Sequence, residues 1–219
     1  MANKNLAEMV FILDRSGSMC GLEDDTIGGY NGLIEKQIKE KGEAVVTTVL
    51  FDDKYEMLYD RADIKKVEKM TKREYYARGM TALLDAVGKT ITHVEHRHRY
   101  APDNELPENT TVVIITDGQE NASSEYNQMQ IKQMIESQKE KYGWEFLFLG
   151  ANIDAENTAK TYGISEDRAV TYMADSVGVS TNFGAVSRTI AGIRRSKAVT
   201  ADWKNEIEEY MQKKGRHKK

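Results

Sequence analysis

The sequence predicts an α/β fold: a Rossmann-like, doubly wound, mostly parallel sheet of about six strands with one antiparallel edge strand and helices on both faces. Short apolar runs alternate along the chain with longer segments of helical period, the pattern of βαβ units joined by crossovers. The runs themselves, such as Val10-Phe11-Ile12-Leu13 and Val112-Val113-Ile114-Ile115, lack polar alternation, as strands buried on both faces require. Oxygen-bearing residues follow the first and the fourth of these runs, where ligands bind in open parallel sheets.

Each element has its own signal. Residues 8–13 are the first strand. Residues 26–41 place Ile27, Tyr30, Leu33, Ile34 and Ile38 at helical spacing. Gly28, Gly29 and Gly32 cost that helix propensity, and close approach of the helix to a sheet explains them. Residues 44–51 are a second strand. Asp52-Asp53-Lys54 signals a turn and residues 55–59 alternate, so the two runs form a hairpin with an antiparallel edge strand. Residues 81–96 are a helix with Leu84, Val87, Ile91 and Val94 on one face. Pro102 and Pro107 mark a surface loop before a buried strand over 110–116. Residues 124–142 are a helix capped by Ser123 or Ser124, and 145–149 a strand that stops at Gly150. A short helix over 155–162 and a short strand over 169–173 follow. Phe183, Val186, Ile190 and Ile193 mark another helix; Trp203, Ile207, Tyr210 and Met211 mark a last one, with Thr200 as its N-cap.

Composition narrows the function classes. The 219 residues fit one large domain that can bury a full core. The expected division is a main domain over 1–197, a C-terminal helix over 198–213 packed on or extending it, and a basic disordered tail over 214–219. A formal charge of −4 argues against nucleic-acid binding by bulk electrostatics, and the basic end reads as a solvated tail. One cysteine, Cys20, allows no intramolecular disulfide. No apolar run is long enough to cross a bilayer and no leader pattern is visible, so the expected location is cytoplasmic.

The candidate site combines Asp14, Ser16 and Ser18 after the first strand, Thr81 at the start of a helix, and Asp117 after the strand over 110–116. Hydroxyl and carboxylate oxygens in that combination suit a hard divalent cation such as Mg²⁺. If the first strand and the strand over 110–116 are neighbours where the strand order reverses, Asp14 and Asp117 enter one crevice. Taken singly, the same residues also suit turns and helix caps.

Asp14-x-Ser16-x-Ser18, then Thr81, then Thr116-Asp117-Gly118 resembles the metal-ion-dependent adhesion site of the von Willebrand factor type A domain. The resemblance runs from the first strand to about Arg195, and the words around the motifs are similar to those of intracellular bacterial and phage members. It implies that Ser16 and Ser18 ligate Mg²⁺ directly, with Mn²⁺ a possible substitute, and that Thr81 joins them in the ligand-competent state. It implies that Asp14 and Asp117 act mainly through bound water. A metal held by neutral hydroxyls keeps positive charge for an anionic oxygen, typically a carboxylate of a partner protein. Intracellular relatives often act as adaptors beside AAA-type ATPases, so the implied function is Mg²⁺-dependent protein binding. Metal-dependent self-assembly through a neighbouring copy's carboxylate is the alternative.

An enzyme is not expected. Ser16 stands where phosphatases of the haloacid-dehalogenase class place a second carboxylate, and no P-loop or Gly-x-Ser-x-Gly elbow occurs. Asn152, Asp154, Glu120 and Asn121 are rim candidates for reading a partner, or else caps. His93, His96 and His98 read as a solvated helix face rather than a zinc set. Cys20 reads as a buried or bystander thiol, and the methionines as fillers of core gaps.

Overall fold

The computed structural model describes residues 3–196, 198–200 and 202–216. The chain forms β1 (Asn3–Asp14), α1 (Glu23–Ile38), β2 (Glu43–Phe51), β3 (Tyr55–Asp63), α2 (Leu83–Tyr100), β4 (Pro107–Thr116), α3 (Gln128–Tyr142), β5 (Glu145–Ala151), α4 (Ala155–Thr161), β6 (Ala169–Tyr172), α5 (Ser176–Ser196) and α6 (Asn205–Arg216). The six strands lie in the order β3-β2-β1-β4-β5-β6. All pairs are parallel except β2 with the edge strand β3. This is the Rossmann-like α/β fold that the apolar runs predict.

β1 shows why the runs lack polar alternation. Met9, Phe11 and Leu13 enter a core layer with α1, α5 and α6, while Val10 and Ile12 enter the opposite layer with α2, α3 and α4. All five are at most 1% exposed. Each such side chain stabilises the fold by roughly 1.5–3 kcal/mol. The strand order reverses between β1 and β4, where Leu13 pairs with Ile115. Asp14 and Asp117 therefore leave adjacent strands at the carboxyl end of the sheet.

Several boundaries differ from the sequence reading. α1 starts at Glu23, with Glu23, Asp24 and Asp25 complementing the positive end of its dipole. Of its glycines only Gly29 meets a close approach, and the neighbour is the Phe183 ring of α5 rather than the sheet; Gly28 and Gly32 have nothing within 4 Å of an added Cβ. Pro107 is not in a loop but opens β4, where its missing N–H costs least. α3 begins at Gln128, not at residue 124. Its cap is Asn127, which forms a capping box with Gln130. Ser123 and Ser124 belong to the preceding loop. The Ser123 hydroxyl donates to Glu120 at 2.7 Å, and the Ser124 amide donates to Asp85 at 2.9 Å.

The last helix starts at Asn205. Thr200 does not cap it but accepts from the Trp203 amide in the turn before it. Trp203 and Ile207 are buried, and the Trp203 indole donates to the Asp167 carbonyl at 2.7 Å, so this segment is fastened over β6. α6 runs to Arg216, through part of the predicted tail; residues 217–219 lie outside the described residues.

Candidate metal centre

The site is built where β1, β4 and the segment before α2 meet. Asp14 is the last residue of β1 and is 1% exposed. Its Oδ1 accepts from the Ser16 amide at 2.7 Å, and its Oδ2 from the Thr116 hydroxyl at 2.5 Å. The first bond closes the turn that brings Ser16 and Ser18 back over the strand end. Thr81 sits two residues before α2 rather than inside it, and is buried.

The hydroxyls converge. Thr81 Oγ1 donates to Ser16 Oγ at 3.0 Å, Ser16 Oγ and Ser18 Oγ are 3.0 Å apart, and Ser18 Oγ donates to Asp117 Oδ1. Three hydroxyls thus form a one-way donor chain that ends on a carboxylate. All five residues named from the sequence belong to this cluster or to the turn beneath it. A Cβ added at Gly118 would meet Ser18 Oγ at 3.1 Å and Thr81 Oγ1 at 3.3 Å, so glycine leaves the cradle open. The donor set is all hard oxygen with two potential negative charges, which fits a divalent cation of the Mg²⁺ class.

Electrostatics point the same way. Burial pushes the Asp14 carboxyl up to about 6, helped by the charge of Asp117, although hydrogen bonds from Thr116 and Ser16 oppose the rise. Burial also raises the Asp117 carboxyl. Two carboxyls held above their usual range in one crevice favour a cation that relieves both.

A second layer fixes the loops. Arg15, between two of the candidate ligands in sequence, is 0% exposed. Its Nε donates to Asp52 Oδ2 at 3.0 Å, Nη1 to the Glu74 carbonyl at 3.0 Å and Nη2 to Glu56 at 2.7 Å. Arg78 Nε donates to the same Asp52 oxygen at 2.6 Å, and the Arg78 amide to the Arg15 carbonyl at 2.9 Å. Burial acts to raise the Asp52 carboxyl, but the bonds from Arg78 and the Lys54 amide, with the two guanidinium charges, hold it below its ordinary value. The Gly17 amide donates to the Gly79 carbonyl at 3.1 Å, and Tyr75 OH donates to the Asp14 carbonyl at 2.5 Å. Gly79 has φ +69°, and an added Cβ would strike the Asp53 carboxylate, so the turn before Thr81 needs glycine.

Sequence reasoning missed this brace. Asp52 was legible only as a turn residue. Its place at the carboxyl end of the parallel strand β2 is the signal that could have found it.

The rim candidates separate. The Asn121 side chain accepts from the Thr81 amide at 2.9 Å, and Glu120 accepts from the amides of Leu84, Ala122 and Ser123. Both hold the loop around Thr81. Asp154 caps α4 by accepting from the Asn157 amide. Asn152 is exposed, has φ 56°, and donates to the Asp117 carbonyl at 3.4 Å, which puts it beside the cluster.

The histidines are not a uniformly solvated face: His93 bonds Asp60 at 2.9 Å, and His98 reaches the buried Glu8 at 2.6 Å. Among the described residues no group of three or more His, Cys, Asp or Glu could hold a metal. Cys20 is exposed. Met9, Met19 and Met70 fill the core, whereas Met80 and Met129 are exposed. No described helix is long and apolar enough to cross a membrane.

No family model and no curated protein sequence matches the chain. Solved structures do. Proximal thread matrix protein 1 from the mussel byssus, with a zinc-occupied MIDAS motif, is similar over 87% of this chain and 47% of its own, at 16% identity and a TM-score of 0.57. A von Willebrand factor type A protein from Catenulispora acidiphila is similar over 87% and 43%, at 15% identity and a TM-score of 0.58. The manganese-loaded TRAP protein of Plasmodium vivax is similar over 68% and 58%, at 16% identity and a TM-score of 0.50. The chain therefore spans about half the length of the structures it resembles, and it shares with them the fold of the von Willebrand factor type A domain.

Proposed function

We propose that Asp14, Ser16, Ser18, Thr81 and Asp117 bind Mg²⁺, and that this centre grips a carboxylate of a partner protein. The observation that carries the reading is the convergence of three neutral hydroxyls and two buried carboxyls, drawn from three points of the chain, into one hydrogen-bonded cluster. Ser16, Ser18 and Thr81 present lone pairs without charge. Asp14 and Asp117 balance a dication between them. Bound Mg²⁺ supplies a positive charge with room for an anionic oxygen. The zinc-occupied MIDAS motif of one similar structure supports a divalent cation at such a site, and another similar structure is manganese-loaded.

In this reading the protein is a binding adaptor and not an enzyme. A cytoplasmic setting fits its single cysteine. An AAA-type ATPase is the partner class that the resemblance suggests.

Calorimetric titration of Mg²⁺ and Mn²⁺ into chelator-treated protein tests the centre. We expect one site in the wild type, none in Ser16→Ala or Asp117→Ala, and at least about tenfold weaker binding in Gly118→Ala, whose methyl would press on two of the hydroxyls. Circular dichroism must show the variants folded. Wild-type protein that takes up neither ion at millimolar concentration would overturn the proposal.

A further inference from the structure

The loop that carries Thr81 also carries two exposed apolar side chains. Met80, next to Thr81, is 57% exposed, and Tyr76 is 42% exposed. Neither is on a loose segment. The Tyr76 ring lies 5.0 Å from the Arg78 guanidinium and 5.6 Å from that of Arg15, and its hydroxyl accepts from Arg78 Nη1 at 2.8 Å. The segment on either side is tied to the loop after β1 by the backbone bonds Arg78 N to Arg15 O and Gly17 N to Gly79 O, and by the Tyr75 side-chain hydroxyl to Asp14 O. Exposed Met and Tyr beside a charged centre are the composition of interface anchors, and the Tyr76 ring, already held by the two guanidinium groups, has little freedom left to lose on docking.

Charge on this side selects the occupant further. Arg78 Nε is engaged by the buried Asp52, and Arg15 is buried outright. Asp53 stands beside Gly79, and Glu56 is half-exposed. A second acidic residue of a partner would meet the exposed Asp53 carboxylate, whereas an apolar one would cover Met80 and Tyr76. The opposite rim offers the neutral Asn152 and Gln119, both exposed.

We infer that the partner presents an acidic residue flanked by large apolar side chains, the carboxylate going to the metal and an apolar neighbour to the Met80–Tyr76 shelf. This rests on the metal-binding reading above.

Three capped peptides test it in the presence of Mg²⁺: Leu-Glu-Phe, Gly-Glu-Gly and Leu-Gln-Phe. Burying one apolar side chain predicts that Leu-Glu-Phe binds at least about fivefold tighter than Gly-Glu-Gly. Leu-Gln-Phe should not bind. Met80→Ser should shrink the ratio between the two glutamate peptides while leaving Gly-Glu-Gly affinity unchanged. Equal affinities of the two glutamate peptides for Mg²⁺-loaded protein would overturn this inference alone, as would a ratio that Met80→Ser leaves intact. Failure of the protein to take up Mg²⁺ in calorimetry would remove the metal reading and this inference with it.

Discussion

Asp14 sits at the buried end of β1 with its carboxyl pushed up to about 6 from an ordinary 3.8. The native chain therefore holds a proton that the unfolded chain releases between pH of about 4 and 6. Its contribution to stability is present below that window and is lost as pH rises through it. Two units correspond to about 3 kcal/mol. A divalent cation would offset this loss, since it binds the ionised form. We expect urea midpoints measured with chelator to fall between pH 4 and 6.5, those with Mg²⁺ to fall much less, and Asp14→Asn to flatten the profile and abolish the Mg²⁺ effect. Identical profiles for wild type and Asp14→Asn would show that this carboxyl carries no such load. The five candidate residues were legible only as a set, because each alone suits a turn or a helix cap equally well. Glu120, Asn121 and Asp154 stayed open between rim and cap, because a side chain that accepts from a nearby amide has the same composition signal as one that faces a partner.

Between elements, the Arg15–Asp52–Arg78 brace ties the loop after β1, the turn after β2 and the loop before α2 into one unit. Asp52 is fully buried and pairs with a fully buried guanidinium, so removing its charge leaves Arg15 with only the half-exposed Glu56 to balance it. Asp52→Asn should cost roughly 3 kcal/mol in chemical unfolding and weaken Mg²⁺ uptake, because the Thr81 loop loses its anchor. An unchanged unfolding midpoint would mean the brace is ornamental. Strands were readable because burial on both faces writes itself as unbroken apolar runs. Helix starts were harder. The loop before α3 is held by Asp85, which accepts from the amides of Ser124, Glu125 and Tyr126, and these bonds displace the helix start to Asn127. Such side-chain ties join residues far apart in sequence and leave no local pattern.

Across the whole molecule, the sheet's strand order is what makes a site possible. β1 lies at the centre with β2 on one side and β4 on the other, so the first and fourth strands open onto one crevice. The C-terminal segment closes the β6 side through Trp203, in the turn before α6, and Ile207 within it, and Lys204 Nζ donates to the Ala169 carbonyl at 2.9 Å. The apolar period of that segment was plain in the sequence. Its partner surface was not, since periodicity names a buried face without naming what covers it.

The donor chain over the crevice has a consequence in time. Ser18 and Asp117 are 99 residues apart, Thr116 and Asp14 are 102 apart, and Ser16 and Thr81 are 65 apart. Contacts of such separation close large loops and form only when the central strands have docked. A cation bound there meets nothing it could hold in the early, locally ordered chain. Mg²⁺ should therefore leave the refolding rate nearly unchanged and slow unfolding by about tenfold at a concentration ten times its dissociation constant, as stopped-flow chevrons with and without the ion would show. Under the proposed function the ion would be a latch set after the door has closed, lengthening the life of the folded state without hastening its arrival.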